Sequence, residues 1–175
     1  MAQLSFLGVP LHEGASQYGT IMGPDALRAA GLMDNLNALG HQISDLGDIA
    51  RPMGFEQVFP ANLAVQNLGS VTRWIEAIRS RGEAIGPMGV PIFAGGDHAL
   101  SAGTISAMSK RAAAQGRPLF VLWLDAHPDF HTLETTSTGN LHGTPMAYLT
   151  GEPGFENSFP ALDHPVRCEH VMMVG

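Results

Sequence analysis

The apolar segment Leu119-Phe-Val-Leu-Trp-Leu124 and the residues directly after it decide the fold class. Six consecutive apolar residues, preceded by Gly116 and Pro118, are typical of a central strand of a parallel sheet, buried on both faces. The segment leads into Asp125-Ala-His-Pro-Asp129. If the chain stays extended there, side chains 125, 127 and 129 project to one side, because strand residues alternate between faces. This predicts two carboxylates and an imidazole at the carboxyl end of a strand, where open α/β folds place their active sites.

A second segment has the same layout. Val90-Pro-Ile-Phe-Ala94 is predicted to be a short buried strand, and it leads into Gly95-Gly-Asp-His98. The two glycines permit a tight turn, and Asp97 is a suitable cap for the helix that follows. His98 then lies at the carboxyl edge of the sheet and can face the Asp125 cluster if the two strands are neighbours.

Nitrogen and carboxylate ligands without a thiolate suit manganese, iron or zinc. A single His-x-Asp pair after a strand is more often a hydrogen-bonded pair within a loop. Four candidate ligands on two strand ends leave these two interpretations evenly balanced on the residues alone.

The remaining pattern alternates strands and helices, which predicts a parallel sheet with helices on both faces. The predicted strands cover Leu4–Val9 and, at the sheet edge, His41–Leu46; helices are predicted for Pro24–Leu39, Ala61–Ile85 and Ala99–Gln115, and a loop for Arg51–Pro60.

Length, charge and cysteine content limit the class of protein. At 175 residues the chain is predicted to be a single domain. A formal charge of −7 argues against nucleic acid or an anionic membrane as partner. The single cysteine, Cys168, allows no internal disulfide. With no signal-peptide pattern and no apolar run long enough to span a bilayer, a cytoplasmic location is predicted.

The segment from Phe130 to Gly143 is rich in threonine, serine, glycine and asparagine. Such segments are often ordinary surface loops. Its position beside the candidate metal ligands favours a substrate-binding loop, because function concentrates in loops of this kind.

Four stretches of the chain together resemble the ureohydrolases, the family of arginases and agmatinases. They are Gly23-Pro-Asp-Ala-Leu-Arg-Ala-Ala-Gly-Leu32, Gly95-Gly-Asp-His98, Leu124-Asp-Ala-His-Pro-Asp129 and Ser137-Thr-Gly-Asn-Leu-His-Gly143. The last is closer to arginase than to agmatinase. The resemblance implies a three-layer α/β/α sandwich with a mainly parallel sheet, and a cytoplasmic homo-oligomer acting on a small guanidino substrate.

The resemblance also implies roles for individual residues. His98, Asp125, His127 and Asp129 would be ligands of a pair of Mn²⁺ ions, with Asp125 bridging both. Asn140 would hold the amino-acid end of the substrate, and His142 would act as the proton shuttle. The implied reaction is hydrolysis of the guanidino group of L-arginine to urea and ornithine.

The sequence departs from the family pattern at two positions of the substrate site. His131 stands where arginases commonly have asparagine, and Thr138 stands where they have serine; in the family both positions contact the substrate's amino-acid end. L-arginine is therefore the leading predicted substrate, with agmatine or a guanidino acid as the alternative.

A larger departure concerns the remaining metal ligands. Family members continue past the position of Gly175 and carry a later Asp-x-Asp motif, which this sequence lacks. We therefore expect the amino-terminal part of a ureohydrolase, with the carboxyl-terminal part of the fold missing. The alternative to an active enzyme is a catalytically incomplete fragment that only binds metal or assembles with full-length subunits.

Overall fold

The computed structural model describes residues 1–15, 17–54, 60–86 and 89–175. Strands and helices alternate along most of the chain, as the sequence pattern predicts. In chain order they are β1 (Gln3–Val9), α1 (Gly23–Ala29), α2 (Leu32–Ala38), β2 (Gln42–Asp48), α3 (Leu68–Ala84), β3 (Val90–Gly95), α4 (Leu100–Ala114), β4 (Val121–Leu124), α5 (Pro145–Thr150) and β5 (Val171–Val174). Part of the loop predicted for 51–60, residues 55–59, lies outside the described residues.

The strands form two parallel sheets. In the larger sheet the order is β2-β1-β3, with Leu4 paired to Ile43 on one side and to Val90 on the other. The smaller sheet pairs β4 with β5 from Val121–Val171 to Leu124–Val174. The parallel arrangement and the edge position of β2 are as predicted. Across the described part of the chain, however, β3 and β4 belong to separate sheets.

The hydrophobic core lies between β1 and helix α3. Leu7 and Val9 of β1 are fully buried, because β1 is paired on both edges. From α3, Val71, Ile75 and Ile78 face the same core, at the spacing that keeps one helical face apolar. Helix α4 packs closely on α3 at Gly103, where a Cβ atom would lie 2.7 Å from Cβ of Ile78.

Two helix predictions need correction. The helix predicted for 24–39 is divided into α1 and α2 by Gly31, whose φ of +79° is left-handed. As a result the predicted apolar stripe is not buried, and Leu39 is 74% exposed. The helix predicted from Ala61 begins only at Leu68, after Asn67 with a φ of +54°.

The prediction that β4 is buried on both faces is wrong. Within the strand Trp123 is buried, but Leu122 and Leu124 are 60% and 71% exposed. Leu122 and Leu124 project to the face of the strand opposite to Trp123, and within the described residues that face is not covered. None of the helices in the described ranges combines the length and the apolar character needed to cross a membrane.

Candidate active site

The candidate site lies where the ends of β3 and β4 come together. Nδ1 of His98 lies 2.9 Å from a carboxylate oxygen of Asp125 and 2.8 Å from one of Asp129. One ligand atom from each of these three residues falls within 4.8 Å of the others. The two sheets therefore meet through side chains at their carboxyl ends, as the sequence predicts for neighbouring strand ends.

His127 has a different environment from the other three predicted ligands. The chain bends after β4 instead of remaining extended, and Oδ1 of Asp125 accepts a hydrogen bond from the backbone N–H of His127 at 2.9 Å. The His127 ring is 81% exposed, with Nδ1 3.5 Å from Asp125 Oδ1. His127 therefore lies at the rim of the cluster, beside Asp125.

Asp129 occupies an unusual backbone conformation. Its φ is +46°, in the left-handed region that aspartate and asparagine visit more readily than other non-glycine residues. Its carbonyl oxygen accepts the backbone N–H of Met146 at 3.0 Å, at the start of α5. This conformation brings the Asp129 carboxylate back toward His98 after the bend.

The cluster favours positive charge. Burial of the His98 ring opposes protonation, but the carboxylates of Asp129 and Asp125 outweigh it and raise the pKa of His98. The backbone N–H of His127 and the charge of His98 lower the pKa of Asp125. Trp123 stacks on the His98 ring at 4.5 Å between centroids, which limits the ring's freedom to turn away from the carboxylates.

Asp97 organises the turn that carries His98. Its buried carboxylate accepts the backbone N–H groups of Gly14 (2.8 Å), Ala15 (3.0 Å) and Ala99 (2.9 Å). The predicted capping role is not confirmed, because the N-cap of α4 is Ala99, without a side-chain cap hydrogen bond, and Asp97 bonds to the backbone just before the helix. Burial raises the pKa of Asp97 despite these hydrogen bonds. Asp97 thus ties the loop after β1 to the turn after β3.

The segment at 132–140, which we call the pocket loop, closes the other side of the site. It is followed by a 3₁₀ turn, Leu141–Gly143, that contains His142. The backbone N–H of His142 donates to the carbonyl oxygen of Gly14 at 3.1 Å. The half-buried His142 ring also interacts electrostatically with Asp97.

One cavity of about 320 Å³ collects all of the site residues that the sequence predicts. Its walls include the predicted metal ligands, the predicted substrate contacts and the predicted proton shuttle. These are His98, Asp125, His127, Asp129, His131, Thr138, Asn140 and His142.

Sequence reasoning missed residues that hold the site from behind. Glu13 is buried, and its carboxylate accepts Trp74 Nε1–H at 3.1 Å and pairs with Arg51 at 2.8 Å. Asn62 donates to three carbonyl oxygens of the pocket loop. A single polar residue in a loop carries no periodic signal, so neither role can be identified without the structure.

Comparison with known proteins places these observations in a family. The arginase family profile matches residues 2–175. The chain is 50% identical over 169 residues to an arginase of Brucella melitensis, covering 97% of this chain and 55% of that protein. It is 48% identical over 170 residues to an arginase of Agrobacterium fabrum, covering 97% of this chain and 52% of that protein.

Solved structures agree with the sequence comparison. The fold superimposes on an arginase from Bacillus caldovelox with a TM-score of 0.81 at 32% identity, covering 99% of this chain and 57% of the other. An arginase from Bacillus subtilis gives the same TM-score at 31% identity, covering 100% and 56%. The chain thus spans about half the length of the arginases it matches. The arginase-like α/β class predicted from the sequence is confirmed, and the chain belongs to the arginase family.

Proposed function

We propose that this chain forms the Mn²⁺-binding and proton-transferring part of a hydrolase that cleaves the guanidino group of L-arginine to urea and ornithine. The observation that carries the proposal is the gathering of His98, Asp125 and Asp129 in one cavity with His142. Family membership supports a ureohydrolase.

The donor set fits a hard divalent cation. An imidazole nitrogen and two carboxylate oxygens converge within 4.8 Å, and ligands of this kind, with no thiolate, suit Mn²⁺. His98, Asp125 and Asp129 would hold the metal, with His127 beside them at the rim. When bound, a pair of Mn²⁺ ions would lower the pKa of water enough to supply a nucleophile near neutral pH.

His142 is placed to handle the proton that the leaving amine requires. Its backbone is held by the hydrogen bond to Gly14, so the ring stays at the cavity wall. An imidazole titrates near neutral pH and can therefore give a proton to the departing amine and recover it afterwards.

The pocket loop would receive the amino-acid end of the substrate. Thr138 and Asn140 line the cavity, and Thr138 Oγ1 accepts the backbone N–H of Asn140 at 3.3 Å. His131 lines the same cavity, with Nδ1 3.4 Å from the hydroxyl of Thr135. Hydroxyl, amide and imidazole groups can each donate a hydrogen bond to a carboxylate, which supports an amino acid as substrate.

The experiment that tests the proposal is urea release from L-arginine by the purified chain after incubation with Mn²⁺. Asp125→Asn keeps the shape of the side chain but removes its charge, and we expect it to abolish urea release. Asp34→Asn, on the exposed surface of α2, makes the same chemical change away from the site and should leave the rate unchanged. Full activity of Asp125→Asn would contradict the mechanism.

The metal-binding alternative has a specific basis, because three residues within the described ranges form the ligand cluster. A folded chain that binds Mn²⁺ but releases no urea would favour it. Parallel assays with agmatine and with a guanidino acid distinguish that outcome from an error in the assigned substrate. Light scattering tests the proposed homo-oligomer, because an oligomer would have an apparent mass that is a multiple of the 18.5 kDa of one chain.

A further inference from the structure

The segment 62–66, which we call the clamp segment, contacts the pocket loop from outside the cavity. It precedes α3 and runs from Asn62 to Gln66. Nδ2 of Asn62 lies 3.0 Å from the carbonyl oxygen of Leu133, 3.3 Å from that of Glu134 and 2.9 Å from that of Thr136. One side-chain amide therefore holds three carbonyl oxygens within residues 133–136 of the loop backbone.

The orientation of the Asn62 amide is fixed from within the clamp segment. Its Oδ1 accepts the backbone N–H of Ala64 at 3.0 Å, so its Nδ2 faces the pocket loop. The backbone carbonyl of Asn62 accepts Val65 N–H at 3.2 Å. The clamp segment is thus a turn that presents a donor to the loop.

The far end of the clamp segment holds the far end of the loop. Nε2 of Gln66 donates to the carbonyl oxygen of Thr138 at 3.1 Å, and its backbone N–H donates to that of Gly139 at 3.0 Å. Gly139 has a φ of +73°, and a Cβ atom there would collide with the carbonyl oxygen of Ala64. Clamp and loop are therefore in direct backbone contact beside Asn140.

We propose that Asn62 is a positioning residue: from behind the pocket loop, it sets how Thr138 and Asn140 are presented to the amino-acid end of a guanidino substrate. The identity of the substrate in this inference rests on the proposed function. The contact between the clamp segment and the pocket loop is supported by the hydrogen bonds and does not depend on the substrate. Asn62 does not line the cavity, so its effect on the substrate passes through the loop.

Asn62→Asp tests the proposal with the smallest change of shape. Above its pKa the new carboxylate can only accept hydrogen bonds, so it repels the three carbonyl oxygens that Asn62 holds. We expect amide hydrogen exchange at Thr136 and Gly139 to become about ten- to a hundredfold faster, with exchange at Tyr148 in α5 unchanged. Asn37→Asp, which adds the same charge on the exposed side of α2, is the matched control.

Function provides the readout that a purely structural role would not change. In the Asn62→Asp variant we expect the KM for L-arginine to rise about tenfold or more while kcat changes less than about threefold, because loop contacts serve binding. Mn²⁺ affinity should stay within about twofold, since the clamp touches none of the metal-binding residues. Gln66→Ala, at an exposed position, should shift exchange and KM in the same direction by smaller amounts.

The outcomes separate this proposal from the proposed function. Unchanged amide hydrogen exchange in the pocket loop would overturn the positioning role. So would an increase in exchange at Tyr148 as large as that in the loop, together with a loss of Mn²⁺ affinity, because both would indicate a general loss of structure. If the unsubstituted chain binds Mn²⁺ but releases no urea from L-arginine, agmatine or the guanidino acid, the metal-binding alternative replaces the proposed function. The exchange rates and the shift in L-arginine affinity seen by NMR titration then decide the role of Asn62.

Discussion

The two sheets of this protein differ in what they contribute to the core: β1 is largely buried, whereas its edge neighbour β2 and both strands of the smaller sheet are largely exposed. In the sheet β2-β1-β3, the central strand is fully buried from Phe6 to Val9. In the sheet β4-β5, most of the apolar side chains are exposed, Leu122 and Met172 among them. His98 follows the first sheet and Asp125 the second. The difference teaches that the candidate metal site joins a well-packed unit to a poorly covered one.

Loops, rather than strand pairing, make that connection. Asp97 ties the turn after β3 to Gly14 and Ala15, and Gly14 in turn accepts the backbone N–H of His142. The pocket loop is held by the clamp segment in front of α3. The geometry of the site therefore depends on the packed unit, and the second sheet contributes candidate ligands without contributing much of the core.

The largest expected effect distinguishes the two sheets directly. Leu7→Ala in β1 removes fully buried methyl groups and should lower the free energy of unfolding by about 2–5 kcal/mol. Leu122→Ala in β4 removes exposed atoms and should change it by less than about 0.5 kcal/mol. Urea denaturation measures both. Equal losses would mean that the face of β4 is covered in solution.

Trp123 is the buried residue of β4, the strand whose Leu122 and Leu124 are exposed. A substitution at Trp123 therefore tests how much β4 contributes to stability. Its Nε1–H donates to the carbonyl oxygen of His127 at 3.2 Å, and its ring stacks on His98. Trp123→Phe keeps an aromatic ring but loses the donor, so we expect a loss of about 1 kcal/mol in unfolding free energy. Trp123→Leu would also lose the stacking on His98. We therefore expect Trp123→Leu to bind Mn²⁺ more weakly than Trp123→Phe does. Urea denaturation measures the stability of both variants, and Mn²⁺ titration measures their affinity.

Glu13, in the loop after β1, should make the free energy of unfolding depend on pH in the acid range. Burial opposes ionisation of Glu13, but hydrogen bonds from the backbone of His12 and Glu13 and from Trp74 outweigh it, so its pKa lies below the ordinary value of 4.5. The ionised form therefore stabilises the fold above that value, and the contribution is lost as the pH falls through the lowered pKa.

Glu13→Gln tests this contribution. The variant should be less stable than the unsubstituted chain at about pH 7, and the difference should shrink at about pH 4 and below. Urea denaturation at the two pH values measures it, with Glu76→Gln at an exposed position of α3 as control. A gap between variant and unsubstituted chain that widens in acid would contradict the assigned direction.

Leu122→Lys combined with Leu124→Lys is expected to affect association between chains more than stability. Both side chains are exposed, so the free energy of unfolding should change by less than about 1 kcal/mol. Exposed apolar strands promote association between chains. The double variant should therefore show less concentration-dependent light scattering than the unsubstituted chain, and unchanged scattering would show that this face is not the one that associates.

Much of this arrangement could be predicted from the sequence. The strands before Gly95 and before Asp125 were predicted from apolar runs that end at polar residues, because that local signal is strong. The sequence predicted that His98 would face Asp125 only if β3 and β4 were neighbouring strands; across the described chain they lie in separate sheets, and the two side chains meet nonetheless. The metal-ligand and substrate roles of the individual residues remain predictions.

Other features depend on contacts distant in sequence or on the backbone. Exposure of Leu122 depends on what packs against that face of β4, and no local pattern reports that. The break at Gly31 and the late start of α3 after Asn67 follow from left-handed residues, and a helical apolar pattern does not reveal them. The role of Asn62 depends on carbonyl groups more than seventy positions later, which makes it invisible to motif reasoning.

The positive φ of Asp129 restricts what can be engineered at the site. A designer who wished to exchange the cation specificity would try glutamate or cysteine at this position, on the basis of ligand preference alone. The left-handed backbone tolerates glycine, asparagine and aspartate best, and of these aspartate alone brings a negative charge. At position 129 the backbone torsion angle φ therefore limits which ligand side chains could be introduced. It thereby limits the range of metals that the candidate site could be redesigned to hold.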